Sequence, residues 1–181
     1  MEKTLSRKEI FKGQLLELHF DEILLQNGEK ATREVIEHKG ASCIAALTEE
    51  NEVMFVKQFR YPFKKVILEL PAGKLDGDTP LDCAKRELLE ETGAVGESFV
   101  SLGEMYPTAA YCTEIIHLFA CKVVEFKVPN PDSDEFLEII KIPLKKAVQM
   151  VLNDEIPDAK TQIGILKLAM KNNATKILPT N

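Results

Sequence analysis

Apolar and polar residues alternate from Leu15 to Leu25, and the run ends at Asn27-Gly28, a strong signal for a tight reversal between strands. "ATREVIEHKG" then resumes the extended pattern, so an N-terminal hairpin or small antiparallel sheet is predicted. "ASCIAALTEENEVMFVKQFRY" reads as a second hairpin turning at Glu49–Asn51, and "KVILELPAG" as a short strand ended by Pro71 and Gly73. The period then becomes helical: Thr79 suits an N-cap, Pro80 the first helical position, Asp82 the third, and Gly93 the stop. Strand character returns in "FVSLGEMYPTAAYCTEIIHLFACKVVEF", broken by a polar loop at Pro107–Thr113. The acidic, proline-containing stretch after it leads to a strand at Glu138–Ile142 and two helices, Leu144–Asn153 and Asp158–Lys171. Strands, one central helix, more strands and closing helices predict an α+β fold with helices packed on a mixed sheet. The only internal boundary falls near Gly40, giving an N-terminal β-hairpin segment, 1–39, and a main domain, 40–181.

The composition narrows the function. A chain of 181 residues can bury a core without a structural metal or disulfide. Its net charge of -6 argues against binding a nucleic-acid backbone, which needs a basic face. Cys43, Cys83, Cys112 and Cys121 are widely spaced, so they read as free thiols of a reducing compartment rather than zinc ligands. No stretch approaches a membrane span and the first residues lack an apolar leader, so a soluble cytoplasmic protein is expected.

The chemistry concentrates in the central helix, "RELLEETG" at Arg86–Gly93. Carboxylates near a helix C-terminus oppose the macrodipole, so three of them there, Glu87, Glu90 and Glu91, need a reason. At ~100° per residue, Glu87 and Glu91 fall about 40° apart, at the margin of the apolar stripe formed by Leu81, Ala84 and Leu88. Glu90 and Arg86 lie further round, one turn apart. Two acids on a half-buried edge repel unless a cation joins them. Oxygen ligands with no His or Cys nearby suit a hard divalent ion, Mg²⁺ or Mn²⁺. The alternative, a solvated acidic face, fits poorly because the outward face carries Asp82, Lys85 and Leu89.

The stretch "GKLDGDTPLDCAKRELLEETGA" resembles the Nudix box, G-x5-E-x7-R-E-U-x-E-E-x-G-U with U apolar, at Gly73, Arg86, Glu87, Leu88, Glu90, Glu91, Gly93 and Ala94. It departs in one place. The spacing is G-x4-D-x7-R-E, with Asp78 standing for the first Glu, and the resemblance implies that Asp78 pairs with Arg86. It further implies an α/β/α sandwich around a mixed β-sheet with an N-terminal antiparallel β extension. Glu87 and Glu91 would hold the metal, with Glu90 as a further ligand or as the partner of Arg86, and the Ala72 carbonyl as another ligand. The implied reaction is hydrolysis of a diphosphate linked to another moiety, by water attacking phosphorus.

Beyond the box, "VKQFRYPFKKVILELPAGKLD" resembles the ADP-sugar pyrophosphatase branch, as does Arg33-Glu34 in the N-terminal strands. Members of that branch are typically homodimers that exchange N-terminal segments, with sites built from both chains; the N-terminal strands could instead extend the main sheet's edge. Arg33 and Arg60 are the candidates for substrate phosphate or ribose, each with a surface ion pair as its plainer role. Where the branch carries Y-P-x-P-G-x-x-x-E, this chain has "YPTAAYCTE", with Ala109-Ala110 in place of Pro-Gly and Glu114 retained. Glu114 either helps hold metal or substrate or simply ends a loop. The branch takes its general base from an acidic loop, here "NPDSDEFLEI", with Glu135 first and Asp134 and Glu138 behind it. His19, His38 and His117 show no spacing of a metal set. The expected substrate is ADP-ribose, split to AMP and ribose 5-phosphate. Another nucleoside diphosphate sugar such as GDP-mannose, and a non-catalytic Nudix-fold sensor, are the rivals.

Overall fold

The structure, a computed structural model, describes residues 1–131 and 136–177. Met1–Gly40 with Tyr106–Ile115 form one compact unit, and Ala41–Met105 with Ile116–Asn181 the other.

In the first unit, β1 (Lys3–Lys12), β2 (Glu17–Leu24) and β3 (Lys30–Glu37) make an antiparallel sheet in that order. The hairpin expected at Asn27-Gly28 forms, with Leu24 opposite Lys30 and Gly28 in the left-handed region at φ 84°. These strands are a sheet of their own and not an edge extension of the larger one. β1 has no counterpart in the sequence reading. Register shifts between Thr4 and Ser6 and between Glu9 and Phe11 break its alternation, which hides a strand from a period-2 search. His19, Asp21 and Ile23 share the buried face of β2, where Arg7 forks onto the Asp21 carboxylate through Nε (2.9 Å) and Nη2 (2.8 Å). The segment Tyr106–Ile115 lies against β3, with the Ile36 amide donating to the Tyr111 carbonyl (2.7 Å) and the Thr113 amide to that of Ile36 (2.9 Å).

The second unit is built on a seven-stranded sheet. Its strands are β4 (Ala41–Leu47), β5 (Glu52–Arg60), β6 (Lys65–Glu69), β7 (Ala72–Lys74), β8 (Ala94–Met105), β9 (Ile116–Phe126) and β10 (Glu138–Pro143). The main path runs β10-β5-β4-β9-β8, with β6 on β5 and β7 on β4. The β4–β9 pair is parallel and the others are antiparallel, so the sheet is mixed. Among the described residues the α-helices α1 (Pro80–Thr92), α2 (Leu144–Leu152) and α3 (Ala159–Ile177) pack on it.

The central strands are apolar on both faces, as strands covered on both sides must be. Cys43, Ala45, Val53 and Phe55 pack with Ala147 and Val151 of α2 and Ile165 and Leu168 of α3. Ile44, Ala46 and Met54 point the other way, onto Ala84 and Leu88 of α1. The result is the expected α/β/α sandwich. β4 and β5 meet at Leu47 and Val53 and then part. The chain from β6 through Pro71 to β7 fills the gap, with the Ile44 amide donating to the Pro71 carbonyl (3.0 Å) and Gly73 opposite Ser42. That wedge sets Ala72 and Gly73 beside α1, which packs on β4 and β7.

The caps of α1 follow the sequence. The Thr79 side chain accepts from the Asp82 amide, Pro80 opens the helix, and Gly93 closes it at φ 70°. Among the described residues no helix is long and apolar enough to cross a membrane. A Cβ on Gly93 would stand 2.1 Å from the Lys127 carbonyl oxygen, in a left-handed conformation that disfavours side chains. Gly93→Ala is therefore expected to lower stability by at least ~1–3 kcal/mol in urea unfolding. An unchanged midpoint would show that the turn after α1 relaxes without cost.

Candidate active site

Each carboxylate of α1 has a definite position. Glu91 is 3% exposed, and its Oε2 accepts from the Ala72 amide at 3.3 Å. The Glu87 side chain is 12% exposed and lies against Gly73, where a Cβ would come within 1.9 Å of Oε1. Any side chain at this position would displace that carboxylate from where it lies. The two acids, one turn apart on the helix, converge on the adjacent residues Ala72 and Gly73 of β7.

Arg86 joins Glu87 to Glu90 and to the loop before the helix. Its Nε donates to Asp78 (2.8 Å), Nη1 to Glu87 (2.7 Å) and to Glu90 (2.9 Å), and Nη2 to the Lys74 carbonyl (3.1 Å). Partial burial works against its charge, but the hydrogen bonds to Asp78, Glu90 and Glu87 outweigh that and hold the guanidinium well above its ordinary pKa. The loop one residue shorter than the box pattern still delivers Asp78 to Arg86. It does so with a tight turn, the Asp78 amide on the Leu75 carbonyl (2.8 Å), and with Asp76 (φ 43°) and Gly77 (φ 101°) left-handed. The Ser42 hydroxyl donates to the Pro80 carbonyl (2.7 Å) and the Cys83 thiol to that of Lys74 (3.2 Å), which ties loop and helix to the sheet.

The donor set at this place is oxygen only: carboxylates from Glu87, Glu91 and the more exposed Glu90, with the backbone of Ala72 beside them. Such a set fits a hard divalent cation rather than a thiophilic metal. Gly73 leaves open the space that a side chain would take from Glu87, so the residues present fit the ion that the sequence implies.

Arg60 closes β5 in the same unit. Its Nε and Nη2 donate to the two oxygens of Glu69 (2.6 and 2.7 Å). That bond, opposed by burial and helped by the charges of Asp158 and Glu91, raises the Arg60 pKa. Glu69 is itself buried, and although burial opposes its ionisation, Arg60 and Lys160 hold its pKa below the ordinary value. The sequence reading marked Arg60 but neither Glu69 nor Lys160.

Other candidates stand elsewhere. Arg33, in the first unit, is ion-paired with Glu2 (2.5 Å) and donates to the Thr32 carbonyl (2.8 Å). Glu114, also there, lies 3.6 Å from His38 Nδ1. Glu138 sits on β10, its side chain 67% exposed and 3.3 Å from Lys57. Glu135 and Asp134 lie outside the described residues. The first unit also gathers a cluster that the sequence reading passed over. Ligand atoms of Glu17, His19 and Glu37 lie within 4.8 Å of one another. Glu17 and His19 share one strand face and Glu37 is the cross-strand partner of Glu17, a proximity that pairing reveals and spacing does not. Lys12 and Arg7 already engage the two carboxylates.

The chain resembles known proteins over most of its length. The pattern of the NUDIX domain matches residues 36–162. An ADP-ribose pyrophosphatase of Bacillus subtilis (strain 168) is 37% identical over 174 residues, covering 94% of each chain. A protein of Bacillus methanolicus named methanol dehydrogenase activator is 38% identical, again over 94% of each. A GDP-mannose pyrophosphatase of Yersinia enterocolitica is 32% identical over 94% of this chain and 96% of its own. Among solved structures, an ADP compounds hydrolase superposes with a TM-score of 0.86 over 98% of this chain and 97% of that one, at 15% identity, a likeness of fold. With its box acids converging on β7 and the domain pattern spanning most of its length, the chain belongs to the Nudix family.

Proposed function

We propose that the protein hydrolyses the diphosphate of ADP-ribose to AMP and ribose 5-phosphate with Mg²⁺ or Mn²⁺ as cofactor. The observation that carries this reading is the convergence of Glu87 and Glu91 on Ala72 and Gly73, with Glu87 held by Arg86 and Glu91 by the Ala72 amide. Glu87, Glu90, Glu91 and the Ala72 carbonyl hold the ion. When bound, a divalent ion neutralises diphosphate charge and acidifies water.

The chain's own groups do the rest. Arg86 orients Glu87 and Glu90 from one nitrogen, and the Ala72 amide orients Glu91. Arg60 offers a guanidinium fork to a substrate phosphate, and Arg33 and Glu114 are further substrate contacts. Glu135 takes the proton of the attacking water. The relatives named ADP-ribose pyrophosphatase support the choice of substrate. Relatives named GDP-mannose pyrophosphatase, together with Ala109-Ala110 in place of Pro-Gly, favour a nucleoside diphosphate sugar of another base as the second reading. A sensor without turnover has less support, since every box carboxylate is kept.

In this reading the protein acts as a homodimer exchanging N-terminal segments, in the cytoplasm. Leu5, Ile10, Phe11 and Leu15 of the first unit are large, apolar and exposed, a surface that a second copy would cover. The four cysteines are free, in keeping with a reducing compartment.

Chromatography of products from ADP-ribose, ADP-glucose and GDP-mannose with Mg²⁺ tests the substrate. AMP and ribose 5-phosphate formed preferentially from ADP-ribose is the expected result, and turnover of GDP-mannose alone would select the second reading. In the same assay Glu91→Gln should lower kcat by more than the ~10–100-fold that outer-shell partners cost. Wild-type activity in that variant would remove the acids of α1 from the reaction. Glu135→Ala should lower kcat by about 100-fold or more while metal affinity stays constant, and an unchanged kcat would assign the base to another residue.

A further inference from the structure

A second arrangement in the larger unit is built with as much care as the box. Arg60 ends β5 and would be a long, loose side chain were it not clamped by both oxygens of Glu69, the last residue of β6. The Glu69 side chain is 3% exposed and accepts a further hydrogen bond from Lys160, on α3. Lys160, 12% exposed, also reaches Asp158 (3.0 Å). Asp158 in turn caps α3 by accepting from the Thr161 amide (2.9 Å), and the Thr161 hydroxyl accepts from the Leu70 amide (2.9 Å). The first turn of α3 is thereby stitched to the strand that carries Glu69.

This network lines a cleft of about 420 Å³ whose walls include Phe63 and Pro157. That is the size of a small-molecule site. Its charged lining, Arg60, Lys65 and Lys160 against Glu69 and Asp158, carries one net positive charge. Glu69 engages Nε and Nη2 of Arg60 and not Nη1. A tie that served only to fix α3 to the sheet would need neither an open cleft nor an excess of cations.

We propose that Lys160 is a positioning residue for substrate binding: through Glu69 it fixes the Arg60 guanidinium as a preset fork for a phosphate of the substrate. This rests on the assignment of Arg60 to substrate phosphate made above. Lys160 lies 91 positions from Glu69 and outside the box, and it acts on binding through Glu69. Sharing the Glu69 charge between two cations leaves Arg60 less neutralised than an isolated pair would. A preset fork also gives up less side-chain freedom when the phosphate arrives.

Steady-state kinetics with ADP-ribose and calorimetry with AMP, both with Mg²⁺, test the proposal on wild type, K160M and K160R. In K160M, KM for ADP-ribose and Kd for AMP should each rise about tenfold, the effect of misplacing one charge-assisted contact, with kcat little changed. K160R should restore both. A folded K160M with wild-type KM and Kd would overturn the proposal, as would equal losses in K160M and K160R or a wild type that fails to bind AMP. If K160M does not fold, K160Q is read in its place: the same rise in KM and Kd supports the proposal, and unchanged values refute it. A wild type that binds AMP but leaves ADP-ribose intact would refute the substrate reading alone, and the Kd series would still decide the role of Lys160.

Discussion

The guanidinium of Arg86 is the interaction on which the rest of the site depends. Three acids crowd the end of α1, where the helix dipole disfavours them, and a fourth, Asp78, waits in the loop before it. A single planar cation reaches Asp78, Glu87, Glu90 and the Lys74 carbonyl, so it fixes loop to helix and acid to acid. A lysine could not reproduce this, because its one nitrogen has no fork. Strongly coupled charges of this kind are costly to build and costly to break singly. The elements around it are a capped helix, a tight left-handed turn, and a wedge of β-structure set between β4 and β5.

The same principle, charge held in place by opposite charge in a poorly hydrated setting, recurs at Glu69. There burial would favour the neutral acid, and two cations keep it ionised. The acids of α1 and the Glu69 pair differ in purpose. In the proposed reading the first set gathers oxygens for a cation, and the second holds a cation for an anion. A diphosphate between metal and guanidinium would be satisfied from both sides, which reconciles a chain of net charge -6 with a phosphate ligand.

Much of this was legible in the chain, and the reason is locality. Thr79, Pro80, Asp82 and Gly93 announce the ends of α1 because caps are read over a few residues. Helical periodicity placed Glu87 and Glu91 at the edge of the apolar stripe for the same reason. What escaped was non-local or irregular. The bulges of β1 erased its alternation, and β7, at three residues, is too short to show any. The partnership of Arg60 with Glu69 and Lys160, and that of Glu17 with His19 and Glu37, depends on which elements pack together. The placement of Tyr106–Ile115 with the first unit comes from hydrogen bonds to Ile36, for which the sequence offers no signal.

The central claim is that the divalent ion sits among the acids of α1. Titration of Mn²⁺ by electron paramagnetic resonance tests it most directly, comparing wild type with a Glu87→Gln/Glu91→Gln double variant and a Glu17→Gln/Glu37→Gln double variant. The account predicts that the α1 variant loses high-affinity Mn²⁺ while the other binds as wild type. Retention by the α1 variant, with loss in the Glu17 and Glu37 variant, would contradict it and move the metal to the first unit.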